Sequence, residues 1–467
     1  MAGGTVRLAV VGGGVTGLAA ALRLRELLGP SAAITVFEQA AGPGGKLRTG
    51  ELAGLVAERG AESFLVRSPD GSGDSAALAL ARRVGLGDDL VHPRPLPAAL
   101  WLDGRLHRIP PGTLLGVPGD LSALAGVARP GGDDRDTGRP LLGPAADVTV
   151  GDLVRRRFGG EVVDRLVDPM LGGVYAGQAD SLSLAATMPG LAAACRTRTT
   201  LVAAVRAAQA AAPRPAGTPV FASLKGGLGR LVTAVAAASG AQVRTGRPVR
   251  ELARAGTGWR LLVGSTRDAE AVTADGVVLA VPARPAARLL RGVEPAAAAA
   301  VGRLDYASVA LVTLALPPET PLPDLSGFLV PATQGTLIKA ATFLTRKWAH
   351  LAGDGGPVLV RASVGRYRET GALRLADAEL ARRVHAELAR ILDGLPAPLA
   401  THVQRWGGAL PQYPPGHPDR VAAARAALPG TLGLAGAAYD GVGIPACVTS
   451  GQAAAWQVAT ALGESGS

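Results

Sequence analysis

The chain has 467 residues, of which 48% are hydrophobic and only 3% aromatic. Its cores must therefore be built from Ala, Val and Leu, and its length points to two or three domains or one large domain with insertions. The formal net charge is +11, almost all of it arginine, since the lysines are Lys46, Lys225, Lys339 and Lys347 alone. A basic balance can serve nucleic acid, anionic lipid or an acidic ligand. The absence of a Lys/Arg block with interleaved aromatics argues against nucleic acid. Two distant cysteines, Cys195 and Cys447, exclude a disulfide framework, and neither they nor the six histidines show a metal-ligand spacing.

Residues 8–11 read as a short buried strand, 12–17 as a turn, and 18–28 as a helix stopped by Gly29-Pro30. Residues 34–37 give a second strand closed by Glu38, so the chain opens as a βαβ unit. The apolar stretch 8–22 imitates a signal-peptide core, but four glycines interrupt it. No apolar run is long enough to span a bilayer, which places the chain in the cytoplasm and leaves peripheral membrane contact open.

Residues 42–63 read as alternating turns and short strands. Helical patterns dominate from about 75 to 210, broken by a polar, glycine-rich stretch at 129–140 that is expected to be a mobile loop. A second flexible stretch is expected at 211–219. A turn and helix follow at 224–238, then strands at 241–252, 259–263 and 276–282. Strands and helices alternate from about 300 to 400, and a buried strand enters a glycine turn before a final helix. No internal repeat is visible. The expected organisation is α/β: a discontinuous, Rossmann-like domain over 1–75, 220–285 and 402–467, a mainly helical insertion over 76–219, and an α+β substrate-binding segment over 286–401.

Gly12, Gly14 and Gly17 form a G-x-G-x-x-G between the first strand and helix. The first glycine permits the tight turn, the second lets a pyrophosphate approach the backbone, and the third lets helix pack on strand. The helix N-terminus then offers free N–H groups to the phosphates. Glu38, 21 residues after Gly17, can accept from a ribose 2′-hydroxyl and would repel a 2′-phosphate. "GPGGKLRT" at 42–49 brings Lys46 and Arg48 within reach of phosphate or ribose, and "RGAES" at 59–63 is a further small-residue loop. A plain NAD dehydrogenase needs neither, whereas an enzyme wrapping an extended FAD needs both. The far end of FAD is supplied by a second glycine turn, "YDGVGIPACVTSG" at 439–451. A helix starting near Pro445 would aim its positive end, and the backbone donors of the 442–446 segment, at the flavin.

These stretches, with "DPMLGGVYAGQADSLSL" at 168–184 and "SLKGGLGRLV" at 223–232, resemble the flavin-dependent porphyrinogen oxidases, relatives of the monoamine oxidases. The resemblance covers nearly the whole chain, and among bacterial members it is similar to the coproporphyrinogen III oxidases of Gram-positive haem synthesis. It implies an FAD-binding domain of the monoamine oxidase type. It implies FAD contacts from Gly12, Gly13, Gly14, Val15, Thr16 and Gly17, from Glu38 and Gln39, and from Gly45 and Lys46. Further contacts are implied from Gly60, Ala61, Glu62 and Ser63, from Val249 beside the adenine, and from Trp406 near the flavin. Gly436, Val442, Gly443, Ile444, Pro445 and Ala446 complete the set.

The resemblance implies oxidation of coproporphyrinogen III in three two-electron steps, each passing a hydride to flavin N5, with oxygen as acceptor and hydrogen peroxide released. No general base is nominated. Four substrate propionates call for cations at the pocket. Arg67 is the candidate, with a solvated surface arginine as its alternative, and Tyr175 is a candidate lining residue, with core packing as its alternative. Protoporphyrinogen IX, amines and carotenoids remain alternative substrates, and a non-catalytic binding protein of the same fold remains an alternative role. A transient contact with a chelatase of the haem pathway is an expected partner contact.

Overall fold

The Arg7–Val11 strand is buried along all but its first residue, and a strand covered on both faces belongs inside a parallel sheet. It lies between Ala33–Phe37 and Gly276–Leu279, with Gln242–Arg244 outside the former and Leu432–Leu434 outside the latter. All five strands are parallel. Segments from the beginning, middle and end of the chain thus share one sheet, and the Rossmann-like unit is assembled from separate stretches. The computed structural model describes residues 5–464 apart from 69, 125, 214–216 and 354. Part of the stretch expected to be flexible, 214–216, therefore lies outside the described residues.

Two helices cover one face of this sheet. The first, Val15–Leu28, starts at Gly14 without a side-chain cap and ends at Gly29, whose φ is 77°. Arg25 folds over that end and donates to the carbonyls of Gly29, Pro30 and Ala32 at 2.8–2.9 Å, tying down the turn that follows the helix. The last helix, Ile444–Glu464, lies along the first. At their crossing a side-chain carbon on Gly451 would fall against the Thr16 carbonyl, nearer than real side chains approach.

A second, seven-stranded sheet runs in the order Ala400–Pro411, Tyr306–Leu316, Val358–Val364, Ile338–Phe343, Gly327–Leu329, Ala98–Leu102 and Arg105–Arg108. The helix Asp377–Ile391 packs Leu380, Val384 and Leu388 against it. Helices including Val150–Phe158, Asp168–Tyr175 and Leu201–Ala211 form a separate apolar core with Leu100, Leu102 and Tyr413.

Three expectations need correction. Residues 98–108, expected within helical territory, are a β-hairpin, because Asp103 and Gly104 both take positive φ (50° and 79°) in the turn between its strands. Residues 402–411, expected with the dinucleotide-binding unit, form part of a long edge strand of the seven-stranded sheet, paired with Tyr306–Leu316. The stretch 129–140 carries no helix or strand but is anchored. The Gly131 N–H donates to the Phe158 carbonyl at 2.9 Å, and the Asp134 carboxylate accepts from the Leu201 and Val202 N–H groups at 2.7 and 3.1 Å, holding the loop to the start of a helix.

A buried charge cluster ties the loop at 59–63 to the seven-stranded sheet. Glu62 pairs with Arg361, on the Val358–Val364 strand, and with Lys347; the side chains are 10%, 10% and 18% exposed. Arg361 also donates to the Glu58 carbonyl at 3.1 Å. Burial alone would push the Glu62 carboxyl up, but Arg361 and Lys347 outweigh it and hold it at about 2.

Gly451→Val is expected to weaken the protein by about 1–3 kcal/mol, because the crossing cannot open without moving backbone. Gly190→Ala, where the added carbon meets nothing within 4 Å, should leave the thermal midpoint unchanged or raise it. Glu62→Gln should weaken the fold by about 3–5 kcal/mol by leaving two buried cations uncompensated. A depressed carboxyl pKa stabilises above its unfolded value, 4.5, and that contribution is lost as pH falls towards about 2. Urea unfolding followed by tryptophan fluorescence between pH 2 and 7 should show this acid-labile component in the parent and not in the variant.

Candidate functional site

The N-terminal glycine turn sits at the carboxyl ends of the parallel strands, where open α/β sheets bind ligands. Gly12 donates to the Phe37 carbonyl at 2.8 Å, which fixes the turn against the second strand. The Glu38 carboxylate accepts from the Gly13 N–H and the Ala40 N–H, both at 2.8 Å, so its charge is held at the rim of the turn. Gln39 beside it is exposed. Gly14 faces open space: a carbon added there meets nothing within 4 Å. That is the cradle a pyrophosphate needs, with the uncapped start of the first helix behind it. Val15, Thr16 and Gly17 form that first turn, all buried.

Three further stretches close around the turn. Gly44 donates to the Gly13 carbonyl at 2.8 Å, and Gly45 lies against Gly14. The Lys46 carbonyl accepts from the Ala61 N–H at 3.0 Å, and Gly60 is so close to that carbonyl that no side chain fits. Trp406 reaches the same loop from the seven-stranded sheet: its Nε1 donates to the Arg59 carbonyl at 2.7 Å, and the Arg48 guanidinium lies 5.7 Å from its ring. Glu62 sits in the ion cluster already described, and Ser63 precedes the short strand Phe64–Leu65. Val249, buried at the head of the strand Val249–Ala255, adjoins the Glu38 end, because Arg247 donates its N–H to the Glu38 carbonyl at 2.9 Å.

The C-terminal turn meets these pieces directly. The Lys46 ammonium is withdrawn from water, which lowers its pKa, while the nearby Cys447 opposes that shift. Burial pushes the Cys447 thiol up against the effects of Thr16 and Lys46. Gly436, with φ 130°, faces open space on its side-chain side and donates its N–H to Ser450 Oγ at 2.8 Å. Ser450 bonds Asp440, which is also held by Arg425. Gly443 lies just before the last helix, which starts at Ile444 with Pro445 and Ala446 in its first turn. Val442 packs against the apolar core that contains Tyr175, as does Leu329.

The two candidate substrate residues are placed differently. Arg67 is held within its own loop, donating to the Gly71 carbonyl, and its buried Nε has no partner among the described residues. Tyr175 is buried at the end of the Asp168–Tyr175 helix, edge-on to Tyr413 with ring centroids 5.7 Å apart. Burial pushes its hydroxyl up to about 12. Its carbonyl accepts from Gln412 Nε2 at 2.9 Å. Sequence reasoning missed Lys347 and Arg361, the cations that hold Glu62. Their signal was a charge inside or just beyond an otherwise apolar strand, as in "PVLVRASVG".

The site therefore offers backbone donors and an open glycine face for a pyrophosphate, a carboxylate for ribose, a desolvated ammonium, and a helix N-terminus at the far end. These fit an extended flavin dinucleotide. Among the described residues no helix is long and apolar enough to cross a membrane. Residues 15–459 match the family described as flavin containing amine oxidoreductase. The coproporphyrinogen III oxidase of Mycobacterium leprae is 41% identical over 449 residues, covering 94% of this chain and 95% of that protein. The chloroplastic protoporphyrinogen oxidase of rice is 30% identical, covering 97% of this chain and 88% of that protein. A crystal structure from Exiguobacterium sp. 255-15, provisionally named a protoporphyrinogen oxidase, superposes with a TM-score of 0.82 at 30% identity, covering 97% of this chain and 99% of that one. The chain belongs to the flavin containing amine oxidoreductase family and is an FAD-dependent oxidoreductase.

Proposed function

We propose that the chain oxidises coproporphyrinogen III to coproporphyrin III with oxygen as the electron acceptor. The observation that supports this reading is the link from Tyr175, edge-on to Tyr413, to the C-terminal turn, where the Tyr413 hydroxyl donates to the Ala437 carbonyl. An apolar, aromatic wall from the "GVYAG" segment on that side of the site would suit a tetrapyrrole macrocycle. The similarity to a relative named for this reaction, at 41% over 94% of the chain, supports the same substrate.

Converting a porphyrinogen to a porphyrin removes six electrons and six protons. When bound, FAD supplies a two-electron acceptor, so three turnovers are required. The chain's own part is positional. Glu38 holds the ribose end, the Gly14 turn and first helix receive the pyrophosphate, and Trp406, pinned to Arg59, fixes the loop at 59–63. The last helix aims its N-terminal backbone donors at the redox end, where they favour negative charge. The Tyr175 hydroxyl stays protonated in this burial and serves as wall rather than base.

Protoporphyrinogen IX is the second reading, favoured by the 30% identity to the rice enzyme. Aerobic oxidation of both porphyrinogens in parallel, read by porphyrin fluorescence and peroxide release, should show the tetrapropionate substrate turning over faster. Faster turnover of protoporphyrinogen would select the second reading, and no turnover of either by enzyme carrying its flavin would refute both. Glu38→Gln keeps one acceptor and loses the charge, so FAD should be held about tenfold more weakly, a change of about 1.4 kcal/mol, in a dialysis experiment read by flavin absorbance.

A further inference from the structure

Lys339 stands in the apolar run "TLIKAATF", on the strand Ile338–Phe343, and is only 6% exposed. Its Nζ donates to the Gly172 carbonyl at 2.9 Å. Across a small cavity of about 20 Å³ lies a second cation, Arg366. The Arg366 guanidinium donates to the carbonyls of Thr336 and Val330 at 3.3 and 3.1 Å. One carboxylate, Asp168, shares the lining, and it accepts from the Ala179 N–H at 2.8 Å. From the helix behind the sheet, Glu387 spends its two oxygens on the Leu337 and Ile338 N–H groups, at 3.0 and 2.8 Å. Glu369 stands 3.9 Å from Arg366 and is itself 54% exposed. The walls thus carry two cations against one lining carboxylate. A buried charge is sustained where something compensates it, and an anion in the cavity would do so.

The position of the cavity says which anion. Gly172 and Tyr175 are three residues apart on one helix, hence neighbours on its surface. Tyr175 shares its apolar cluster with Val442 and Leu329, and the Lys339 carbonyl accepts the N–H of Val330, the residue after Leu329, at 2.8 Å. The cavity is therefore next to the wall assigned above to the macrocycle. Its size suits a small polar group such as a carboxylate.

We propose that this cavity receives one propionate carboxylate of the porphyrinogen, held between Lys339 Nζ and the Arg366 guanidinium. The inference rests on the porphyrinogen reading. Desolvation first, and Arg366 second, lower the Lys339 pKa to about 7 in the empty cavity. A carboxylate beside the ammonium favours its charged form, so the bound site keeps a proton that the free site loses above about pH 7. Binding then takes up one proton in that range, and affinity falls about tenfold per pH unit.

The test is binding of coproporphyrin III to the FAD-loaded full-length enzyme between pH 6 and 9, read by fluorescence, with coproporphyrin tetramethyl ester as the uncharged control in the same detergent. The acid should bind about tenfold more weakly for each unit above pH 7, and the ester should show no slope. Lys339→Met should bind the acid at least tenfold more weakly at pH 6.5, with the slope abolished and ester binding unaltered. Equal weakening of acid and ester, or an unchanged slope in the variant, would overturn the subsite. If the variant does not fold, the contrast between acid and ester in the parent decides alone. A parent enzyme that oxidises coproporphyrinogen III yet binds its product with no pH slope would refute the subsite and leave the function standing. One that neither binds the porphyrin nor oxidises the porphyrinogen would refute both.

Discussion

At the crossing of the first and last helices, Gly451 rests on the Thr16 carbonyl with no space for a side chain between them. The contact lies at the second residue of the first helix and about two turns into the last, behind the two glycine turns. It sets the separation of the N-terminal turn at 12–17 and the C-terminal turn at 439–443. An extended cofactor that is gripped at both ends needs that separation fixed. Helix dipoles and uncapped N–H groups act only within the first turn, so a small change in the crossing angle would move both donors off their targets. The intervening chain is free to make other domains, because closing a long loop becomes only slowly more costly with length.

The second constraint is charge. In a chain whose cations are nearly all arginine, three of the four lysines lie at withdrawn positions near the site. Lys46 is desolvated beside the C-terminal turn, Lys347 is paired with Glu62, and Lys339 lines a cavity. A lysine is a compact point charge whose pKa moves readily on burial, whereas a guanidinium stays charged and spreads its donors in a fork. Where the structure needs a permanent buried cation with several acceptors, it uses arginine, as at Arg361 and Arg366. Glu62 joins the two types and fastens the loop 59–63 to the neighbouring sheet. The same loop receives Trp406 from that sheet. Two independent fastenings, one ionic and one hydrogen-bonded, hold the dinucleotide-binding unit to the seven-stranded sheet.

Much of the geometry of the candidate site was legible because its determinants are local. A glycine turn, its flanking strand and helix, and an acid after the next strand are read within forty residues, and the C-terminal turn is equally compact. The hairpin at 98–108 was also legible in principle: "LWLDGRLH" has apolar alternation around an Asp-Gly turn, and the surrounding helical pattern obscured it. The place of Trp406 was not legible. Its strand pairs with Tyr306–Leu316, nearly a hundred residues away, and nothing in "RWGG" states which sheet it joins. The partners of Glu62 are of the same kind, since Lys347 and Arg361 come from about three hundred residues downstream. What sequence does show is the anomaly itself. A charge at an inward position of an apolar strand, as in "VLVRASV" or "LIKAATF", demands a partner that only the fold can supply.

The Asp168–Tyr175 helix brings these threads to one element. Its Asp168 end and Gly172 border the charged cavity, and its Tyr175 end borders the apolar wall. The helix is short, begins directly after a π-helical turn at Val163–Val167, and ends at Ala176 in the left-handed region, φ 50°. Its C-terminal end is tied to neighbouring elements. Gly172 gives its carbonyl to the Ala176 N–H and also to Lys339, and the Ala176 carbonyl is taken by the Tyr367 N–H at 2.7 Å. Irregular backbone of this sort persists only when its surroundings over-determine it. Here a lysine from the facing sheet and a tyrosine from the next loop do so. One short helix thereby borders an apolar cluster at one end and a charged cavity about one turn away.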